Sequence, residues 1–433
     1  MKTADYTAKK ILLLLLLAVF LVSNIAGALS PAYASTTEQS TSENQETGTD
    51  QDEPGQNQDE SDQNQEDNPG VTEFNSLAEA AILIEASTGK VLYEKNADQP
   101  LPPASITKIM TLLLAFEALE RGDVKWDDMV TISELAWRVE GSRMFLEVGK
   151  KVPLGDIITG ISVVSANDGC VAVAEHLNGS VEAFVQQMNK RAKELGLTNT
   201  QFQNPHGLSA EGHYMSARDI ANLAKVLITN HPKILEIESM TEFTFNDIYQ
   251  KNRNPLLGVY PGADGLKTGW TEEAGYCLVG TALRNGMRLI SVVLRTKDEA
   301  ERLAASRELL DYGFQNHEFV EVVKKDEILG EANVKNGKEL TVPVKANESV
   351  KVVIHKDKKD EVKIDLSLEK DILPAPVEAN TQVGKAEIRL GDELLAATTV
   401  STNQAVEKAG FFEILWRGIV DFFRSLFKVT KNN

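Results

Sequence analysis

Two kinds of hydrophobic pattern follow one another along the first two thirds of the chain. From Ile106 to Arg121 apolar residues recur at helical spacing, and several further helical patterns continue through Leu227. On either side of this helical stretch, pairs of short apolar runs are joined by turn signals, which predicts two strand pairs. The predicted strands lie at 80–84, 89–93, 276–282 and 289–294, and a last helix is predicted at 299–312. This order predicts one sheet built from both ends of the segment, with a helical lobe inserted between them.

The pattern changes after about residue 318. Short runs of alternating apolar and polar residues recur up to Val400, separated by turn signals such as Asn336-Gly337 and Gly391-Asp392. The predicted strands lie at 340–344, 350–355, 362–366, 386–390 and 394–399. This pattern predicts a small all-β domain. Because it carries no cluster of candidate catalytic residues, we interpret it as a spacer or docking module.

The last segment, 408–428, is amphipathic. Its charged residues fall three or four positions apart and form one polar stripe, and the rest of the helix surface is apolar and rich in Phe. This composition is typical of a helix that lies in a membrane interface, and the interspersed charges argue against a transmembrane span. Packing of the helix on the β domain is the alternative. The polar stripe consists of Glu413, Arg417, Asp421, Arg424 and Lys428.

The N-terminal 34 residues predict a secretory signal. Lys9 and Lys10 precede an apolar run, and small residues end at Ala34, where we expect cleavage. An uncleaved membrane anchor is the alternative, but the run is short for a span of roughly 20 residues. Residues 35–72 then carry eleven acidic and no basic residues, with almost no large apolar side chains, and predict a disordered spacer. The mature protein is thus expected to work outside the cytoplasm.

Composition excludes several classes of function. The 433 residues include 45 Lys and Arg against 64 Asp and Glu, a formal net charge of −19 that argues against a nucleic-acid partner. Two cysteines are too few for a disulfide framework or a four-cysteine metal site, and six histidines show no metalloprotease pairing. We expect no metal and no cofactor. We also expect Cys170 and Cys277 to be free buried thiols rather than a disulfide.

A secreted hydrolase without a cofactor needs a nucleophile, and Ser105-Ile106-Thr107-Lys108 offers one. Pro102 and Pro103 precede it and favour the start of a helix, where residues three apart share a face. Lys108 can therefore reach the Ser105 hydroxyl, and burial beside another cation would lower the pKa of its amine. On its own this spacing is weak evidence, since two common residues occur at it by chance and a solvent-exposed helix start is the better explanation.

Two further elements strengthen this hypothesis. Ser165-Ala166-Asn167 follows an apolar run, and Lys267-Thr268-Gly269 stands at the head of a predicted strand. Ser165 and Asn167 can relay a proton and hold the substrate amide, and Lys267 supplies positive charge near a substrate carboxylate. Thr268 offers a hydroxyl, and Gly269 lets a substrate backbone lie close to the strand. The backbone N–H groups of Ser105 and Trp270 are candidates for an oxyanion hole.

Ser-x-x-Lys, Ser-x-Asn and Lys-Thr-Gly in this order are the motifs of penicillin-binding proteins and class A β-lactamases. The chain closely resembles the low-molecular-weight penicillin-binding proteins that are D-alanyl-D-alanine carboxypeptidases of serine peptidase family S11. Further segments that resemble the family are Gly141-Ser142-Arg143-Met144, Asn204-Pro205-His206-Gly207-Leu208, Asp264-Gly265-Leu266 and Glu273-Ala274-Gly275-Tyr276.

The resemblance implies a fold and a layout. The fold class is α+β, with a penicillin-binding/β-lactamase-like catalytic domain (an antiparallel sheet with a helical lobe), then a small all-β domain and a C-terminal amphipathic helix. The predicted regions are a signal peptide at 1–34, a disordered acidic linker at 35–72, the catalytic domain at 73–316, the β domain at 317–403 and a membrane-anchor helix at 408–428.

The resemblance also implies a substrate, the pentapeptide stem of peptidoglycan, from which the terminal D-alanine is removed, and acylation by β-lactam antibiotics. Arg302 matches the family arginine thought to meet the terminal carboxylate, and Arg253 is a second candidate; surface ion pairs are the alternative for both. Trp270 stands where other side chains are common and could alter substrate preference. The implied location is the outer face of the bacterial cytoplasmic membrane and the cell wall.

Three other functions remain open. A β-lactamase shares the acylation machinery, but the residues around Asn204 lack the glutamate that class A enzymes use for deacylation. A peptidoglycan DD-endopeptidase would cleave cross-linked stems with the same residues. A catalytically dead wall-binding protein is the alternative outside enzymes, and the three intact motifs argue against it.

Overall fold

The computed structural model describes residues 74–429, without the side chains of residues 421 and 423–429. The predicted signal peptide and acidic spacer lie outside the described residues.

The first region of the fold runs from β1 to α8 and alternates strands with helices. In chain order its elements are β1 (Ala80–Glu85), β2 (Val91–Lys95), a 3₁₀ turn (Ala104–Thr107), α1 (Lys108–Arg121), β3 (Met129–Thr131), α2 (Glu134–Arg138), β4 (Lys151–Pro153), α3 (Leu154–Val163), α4 (Asn167–Asn178), α5 (Val181–Glu194), β5 (Thr200–Gln201), β6 (Tyr214–Met215), α6 (Ala217–Asn230), α7 (Ile234–Glu238), β7 (Glu242–Phe245), β8 (Ile248–Lys251), β9 (Ala263–Thr271), β10 (Gly275–Arg284), β11 (Met287–Thr296) and α8 (Glu299–Asn316).

A five-stranded antiparallel sheet has the strand order β2-β1-β11-β10-β9. Strands from the beginning and from the end of the region therefore meet at β1 and β11, and the helical lobe from α1 to α7 lies between them in sequence. This confirms the predicted strand pairs and the predicted single sheet. β9 has a strand neighbour on one side only, so its other edge is free to face the helical lobe.

β1 is apolar at successive positions because both faces of the sheet are covered by other parts of the fold. Ile82 and Ile84 belong to the hydrophobic cluster formed with the helical lobe, whereas Ala81 and Leu83 belong to the cluster beneath α8. Because successive side chains of a strand point to opposite faces, a strand between two helical layers needs apolar residues at every position.

The second region is all-β, as predicted. Its elements are β12 (His317–Val323), β13 (Ile328–Lys335), β14 (Thr341–Ala346), β15 (Val350–His355), a 3₁₀ turn (Lys356–Glu361), β16 (Val362–Leu368), β17 (Ile372–Pro374), β18 (Gln382–Leu390) and β19 (Glu393–Thr402). Six strands form one sheet in the order β16-β18-β19-β14-β13-β17, and β12 pairs with β15. The sequence analysis missed β12, β13 and β17.

The two regions are in contact. Val353 of β15 is buried in the cluster beneath α8, and Lys90 forms an ion pair with Glu393 at 2.9 Å between Nζ and Oε1. Lys356 Nζ also donates to the backbone oxygens of Phe314 and Gln315, at 3.1 and 2.6 Å.

A C-terminal helix, α9 (Phe411–Val429), follows the β domain. Its Arg417 donates to the backbone oxygens of Gly337 and Lys338, at 2.7 and 2.8 Å, so the polar stripe touches the β domain. The apolar side chains on the other side are exposed, among them Phe412 at 81% and Trp416 at 67%. None of the helices in the described part of the chain is long and apolar enough to cross a membrane.

Candidate active site

Ser105 and Lys108 meet where the 3₁₀ turn passes into α1. In a 3₁₀ turn residues three apart eclipse each other, which brings Lys108 directly over Ser105. Lys108 Nζ donates to Ser105 Oγ at 2.8 Å and to the backbone oxygen of His206 at 2.6 Å. The lysine side chain is wholly buried, and Ser105 is half-buried. The two groups are therefore held in contact by the local fold.

The surroundings of Lys108 favour its neutral amine. Its pKa is lowered from 10.5 to about 8, chiefly by burial; the charge of Arg253 acts in the same direction, whereas Cys170 and Asp168 oppose the shift. A substantial fraction of the side chain can therefore be unprotonated near neutral pH. In that form Lys108 can accept a proton from the Ser105 hydroxyl.

Ser165 and Asn167 lie between α3 and the start of α4. Ser165 has a left-handed backbone, with φ of 63°. The Asn167 backbone N–H donates to Ser142 O, and its Nδ2 donates to Glu140 O, both at 2.7 Å. Ser165 Oγ and Asn167 Oδ1 are buried and have no hydrogen-bond partner among the described residues. The loop thus fixes the amide nitrogen of Asn167 and leaves one polar oxygen on each residue for another molecule.

Lys267, Thr268 and Gly269 lie in the middle of β9, at the free edge of the sheet. The sequence analysis wrongly placed them at the head of a strand, because Gly265 and Gly269 weaken the strand pattern. A Cβ on Gly269 would stand 2.9 Å from Pro103 O and 3.2 Å from the Ala104 Cβ. Glycine therefore lets β9 pack against the turn that carries Ser105.

One cavity of about 1120 Å³ joins these elements. The lining includes eight of the ten predicted site residues: Ser105, Ser165, Asn167, Arg253, Thr268, Gly269, Trp270 and Arg302. The other two, Lys108 and Lys267, are buried, and Lys108 reaches the cavity through its contact with Ser105. The three motifs, 60 or more residues apart in sequence, therefore converge on one cleft.

An aromatic and cationic group forms one side of the cleft. The exposed Trp270 ring lies 5.9 Å from the Tyr276 ring, and the Arg302 guanidinium lies 5.6 Å from the centre of that same tyrosine. Arg302 is 6% exposed, and its nearest carboxylate is Glu299 at 3.7 Å. Its Nε has no hydrogen-bond partner within the described residues. Arg302 is thus a buried cation that lines the cavity, with one long ion pair to Glu299.

The sequence analysis missed residues that act through the backbone or from behind the cleft. Asp168 accepts from the backbone N–H groups of Met144 and Leu146, both at 3.0 Å, and so fixes the loop that carries Ser142. The backbone oxygen of His206 accepts a hydrogen bond from Lys108 Nζ and so holds the amine in place. A Cβ on Gly207 would stand 1.8 Å from Ala104 O. The type of residue does not indicate which backbone oxygen a buried lysine will need. Glycine stands at position 207 because the backbone there has a left-handed φ of 90°.

The cysteines are free and buried, as expected. Burial raises the pKa of Cys170 to about 12 and that of Cys277 to about 11. Because the thiolate is the reactive form, neither is poised as a nucleophile.

Comparisons with known proteins agree with this geometry. The family model of D-alanyl-D-alanine carboxypeptidase (Peptidase S11) matches residues 64–298, and that of the penicillin-binding protein 5 C-terminal domain matches residues 317–408. The chain is 39% identical over 368 residues to D-alanyl-D-alanine carboxypeptidase DacF of Bacillus subtilis, covering 82% of this chain and 92% of the relative. It is 40% identical over 357 residues to DacC of Escherichia coli, covering 81% and 89%.

Solved structures give the same result. Penicillin binding protein 5 from Haemophilus influenzae matches with a TM-score of 0.69 and 38% identity, covering 78% of this chain and all of that one. These findings confirm the expected fold class, a penicillin-binding-protein catalytic domain followed by the all-β C-terminal domain. The chain belongs to the D-alanyl-D-alanine carboxypeptidase family and is a serine-type D-Ala-D-Ala carboxypeptidase that acts on peptidoglycan.

Proposed function

We propose that Ser105 is the nucleophile of this carboxypeptidase and that Lys108 is its general base. The observation that carries the proposal is the 2.8 Å contact between Ser105 Oγ and a wholly buried lysine amine of lowered pKa. In the neutral lysine the direction of this hydrogen bond reverses, and the serine hydroxyl donates to the amine. A pKa of about 8 leaves a fraction of the lysine neutral near neutral pH, and in that fraction the pair has the geometry that proton removal requires.

The reaction on a stem ending in D-Ala-D-Ala then takes two steps. Ser105 Oγ attacks the carbonyl carbon of the penultimate D-alanine, and its proton passes to Lys108 Nζ. When the C–N bond breaks, the amine of the terminal D-alanine leaves with a proton relayed through Ser165. Water then attacks the resulting ester, the C–O bond to Ser105 breaks, and the shortened stem leaves as a carboxylic acid. The backbone N–H groups of Ser105 and Trp270 are the proposed oxyanion hole.

The proposed contacts with substrate come from both walls of the cleft. β9 has a free edge on which an extended stem can add its backbone, with Thr268 and Gly269 beside it. Lys267, Arg253 and Arg302 supply positive charge for the terminal carboxylate, and Asn167 Oδ1 accepts a hydrogen bond from the substrate amide. Trp270, at the rim of the cleft and 56% exposed, shapes the preference for the stem peptide.

β-Lactam antibiotics are proposed to acylate the same serine. Penicillin-binding protein D2 from Listeria monocytogenes, 33% identical with a TM-score of 0.52, has been solved in an ampicillin-bound form. DD-endopeptidase activity on cross-linked stems is an alternative or additional activity of the same residues, and rapid β-lactam hydrolysis is the second alternative. The segment around Asn204, which lacks a deacylating glutamate, supports a slow release of the antibiotic.

The proteins of this family work at the cell envelope, and we propose a more definite location. α9 turns its exposed phenylalanines and Trp416 away from the contacts that Arg417 makes with the β domain. This arrangement supports a helix embedded in the membrane surface rather than one packed on the β domain. With the proposed signal at 1–34, the enzyme would act on the outer face of the cytoplasmic membrane. The β domain at 317–403 would raise the catalytic domain at 73–316 above the membrane surface.

Labelling with a fluorescent penicillin tests the nucleophile. The wild type should form a covalent adduct, and Ser105→Ala should form none, whereas Ser87→Ala, in the turn after β1, should label normally. Adduct formation by the Ser105 variant would contradict the assignment.

Mass spectrometry of purified muropeptides then distinguishes the activities. Loss of a single alanine from pentapeptide stems is expected, and conversion of dimers to monomers would indicate endopeptidase action instead.

A further inference from the structure

A buried carboxylate lies behind the wall of the cleft. Glu238 ends α7, which packs against β9, and its side chain is 0% exposed. Its Cβ is 3.4 Å from the position that a Cβ on Gly265 would take. Neither carboxylate oxygen has a hydrogen-bond partner in the part of the chain that the structure describes. Because an uncompensated buried carboxylate is costly, such a group either takes up a proton or is stabilised by a nearby positive charge.

The strand β9 shows which charge compensates it. Gly265, Lys267 and Gly269 are two residues apart, so they face the same side of the strand. At one end of this face Gly265 meets Glu238, and at the other end Gly269 meets the turn that carries Ser105. Lys267 lies between them, and it is 2% exposed. Its only hydrogen bond within the described residues is a 3.2 Å contact from Nζ to Thr268 O.

The charges around the two residues are complementary. Burial raises the pKa of Glu238, and the positive charge of Lys267 is the main influence that opposes this; the Ser162 hydroxyl acts in the same sense from beyond hydrogen-bond geometry. Burial and the cation of Lys108 lower the pKa of Lys267, and Glu238 is the largest influence that raises it. Arg253 also lowers the pKa of Lys267, and Cys170 raises it weakly.

We propose that Glu238 is a positioning residue for the active site, whose buried carboxylate is the counter-charge that keeps Lys267 cationic inside the cleft wall. Three other groups change the pKa of Lys267. Lys108 and Arg253 lower it by charge repulsion, and Cys170 raises it. Without Glu238, the one named group in the described part of the chain that still raises the pKa of Lys267 would be Cys170. This inference rests on the proposed role of Lys267 in receiving the substrate carboxylate.

The inference predicts a pH dependence with a definite sign. Removing the negative charge lets the pKa of Lys267 fall further, so its ammonium is lost at a lower pH. If Lys267 receives the terminal carboxylate, the basic limb of kcat/KM should move to lower pH. Each pH unit of movement corresponds to about a tenfold loss of kcat/KM on that side of the profile. The loss should come mainly from a higher KM, because Lys267 acts on the bound carboxylate.

The experiment measures kcat/KM against pH for the full-length enzyme with a soluble peptide ending in D-Ala-D-Ala. Glu238→Gln removes the charge at nearly constant shape, and Glu238→Leu removes it with a group that needs no hydrogen bond. Glu238→Asp keeps the carboxylate and should restore most of the wild-type profile. Glu236→Gln, on an exposed residue of the same helix, is the matched control and should leave the profile unchanged.

A basic limb lower by about one pH unit in the charge-removing variants, with recovery in Glu238→Asp, would support the inference. An unmoved limb, or an equal loss of activity at every pH, would overturn it, because a residue that only supports the fold lowers activity without moving the limb. If Glu238→Gln does not fold, Glu238→Leu provides the measurement. Failure here is distinct from failure of the proposed mechanism, which the Ser105→Ala labelling decides separately.

Discussion

The catalytic region and the β domain differ in the kind of polar groups that they bury. The catalytic region buries Lys108, Lys267, Glu238 and Arg302, and it leaves polar atoms such as Ser165 Oγ and Asn167 Oδ1 without partners. Among the described side chains of the β domain and α9, the only buried polar atom without a partner is Nδ1 of His317, the first residue of β12. The other buried polar residues there are three hydroxyl side chains, Thr398, Ser401 and Thr402.

This difference separates residues that take part in the reaction from residues that stabilise or locate the protein. Buried, poorly paired charges destabilise a fold, and a protein tolerates them where their altered pKa values or free hydrogen-bonding groups are used. In the β domain no such charge is kept, so its residues are expected to affect stability and location rather than chemistry. Substitutions in the two regions should therefore change different measured quantities.

The largest expected effect is at Lys108. Lys108→Met keeps a long side chain but removes the amine, so the acylation rate should fall by about 10²–10⁴, the usual contribution of a general base. The free energy of unfolding should change by no more than about 2 kcal/mol, because relief of the buried amine offsets the lost hydrogen bond to His206 O. Stopped-flow acylation by a penicillin and thermal unfolding measure the two quantities.

Lys190→Met is the matched control for this prediction. Lys190 lies on α5 with its side chain 70% exposed, in a long 3.9 Å ion pair with Glu194. Neither acylation nor stability should change appreciably. Near-normal acylation in the Lys108 variant would show that another group removes the serine proton.

The same contrast explains how much could be predicted from the sequence. The sheet made from both ends of the catalytic region followed from periodicity, since β1, β10 and β11 are continuous apolar runs beside clear turns. The motif residues were found because their types and spacing are specific. β9 was missed as a full strand because it contains two glycines. Their positions lie against residues distant in sequence, Thr281 and Glu238 at Gly265 and Pro103 at Gly269.

Residues that act through tertiary contacts could not be predicted in this way. Glu238 is one of two acidic residues in a short helix, and the other, Glu236, is exposed. Only the packing of α7 against β9 distinguishes the two. In the same way, His206 contributes a backbone oxygen, which every residue possesses. β12 and β13 were missed because their alternation is interrupted by half-buried positions.

The next largest effect is expected in α9, where a supporting element should change location but not chemistry. Phe412→Ala combined with Trp416→Ala removes two exposed aromatic side chains, each worth about 1.5 kcal/mol or more when buried in the membrane interface. Binding to vesicles of phosphatidylethanolamine and phosphatidylglycerol should weaken by about 100-fold, with unchanged kcat/KM on a soluble peptide.

The matched control is Ile328→Ala, which removes an exposed apolar side chain of the β domain, 48% accessible, outside α9. It should bind vesicles as the wild type does. Equal vesicle binding by the α9 variant would show that this helix is not the membrane anchor, and a loss of activity on the soluble peptide would show that it also contributes to catalysis.

The smallest effect tests the supporting role of the β domain directly. Val344 of β14 is wholly buried in the core of the six-stranded sheet, so Val344→Ala should lower the free energy of unfolding by about 1–3 kcal/mol. Because no charge of the active site depends on this core, kcat/KM of the folded enzyme should stay at the wild-type value. Ile364→Ala, at a 40% exposed position of β16, controls for loss of an apolar side chain without loss of packing. A lower kcat/KM in folded Val344→Ala would mean that strain in the β domain reaches the cleft through the contact of Val353 with the cluster beneath α8, and the separation between acting and supporting regions would then fail.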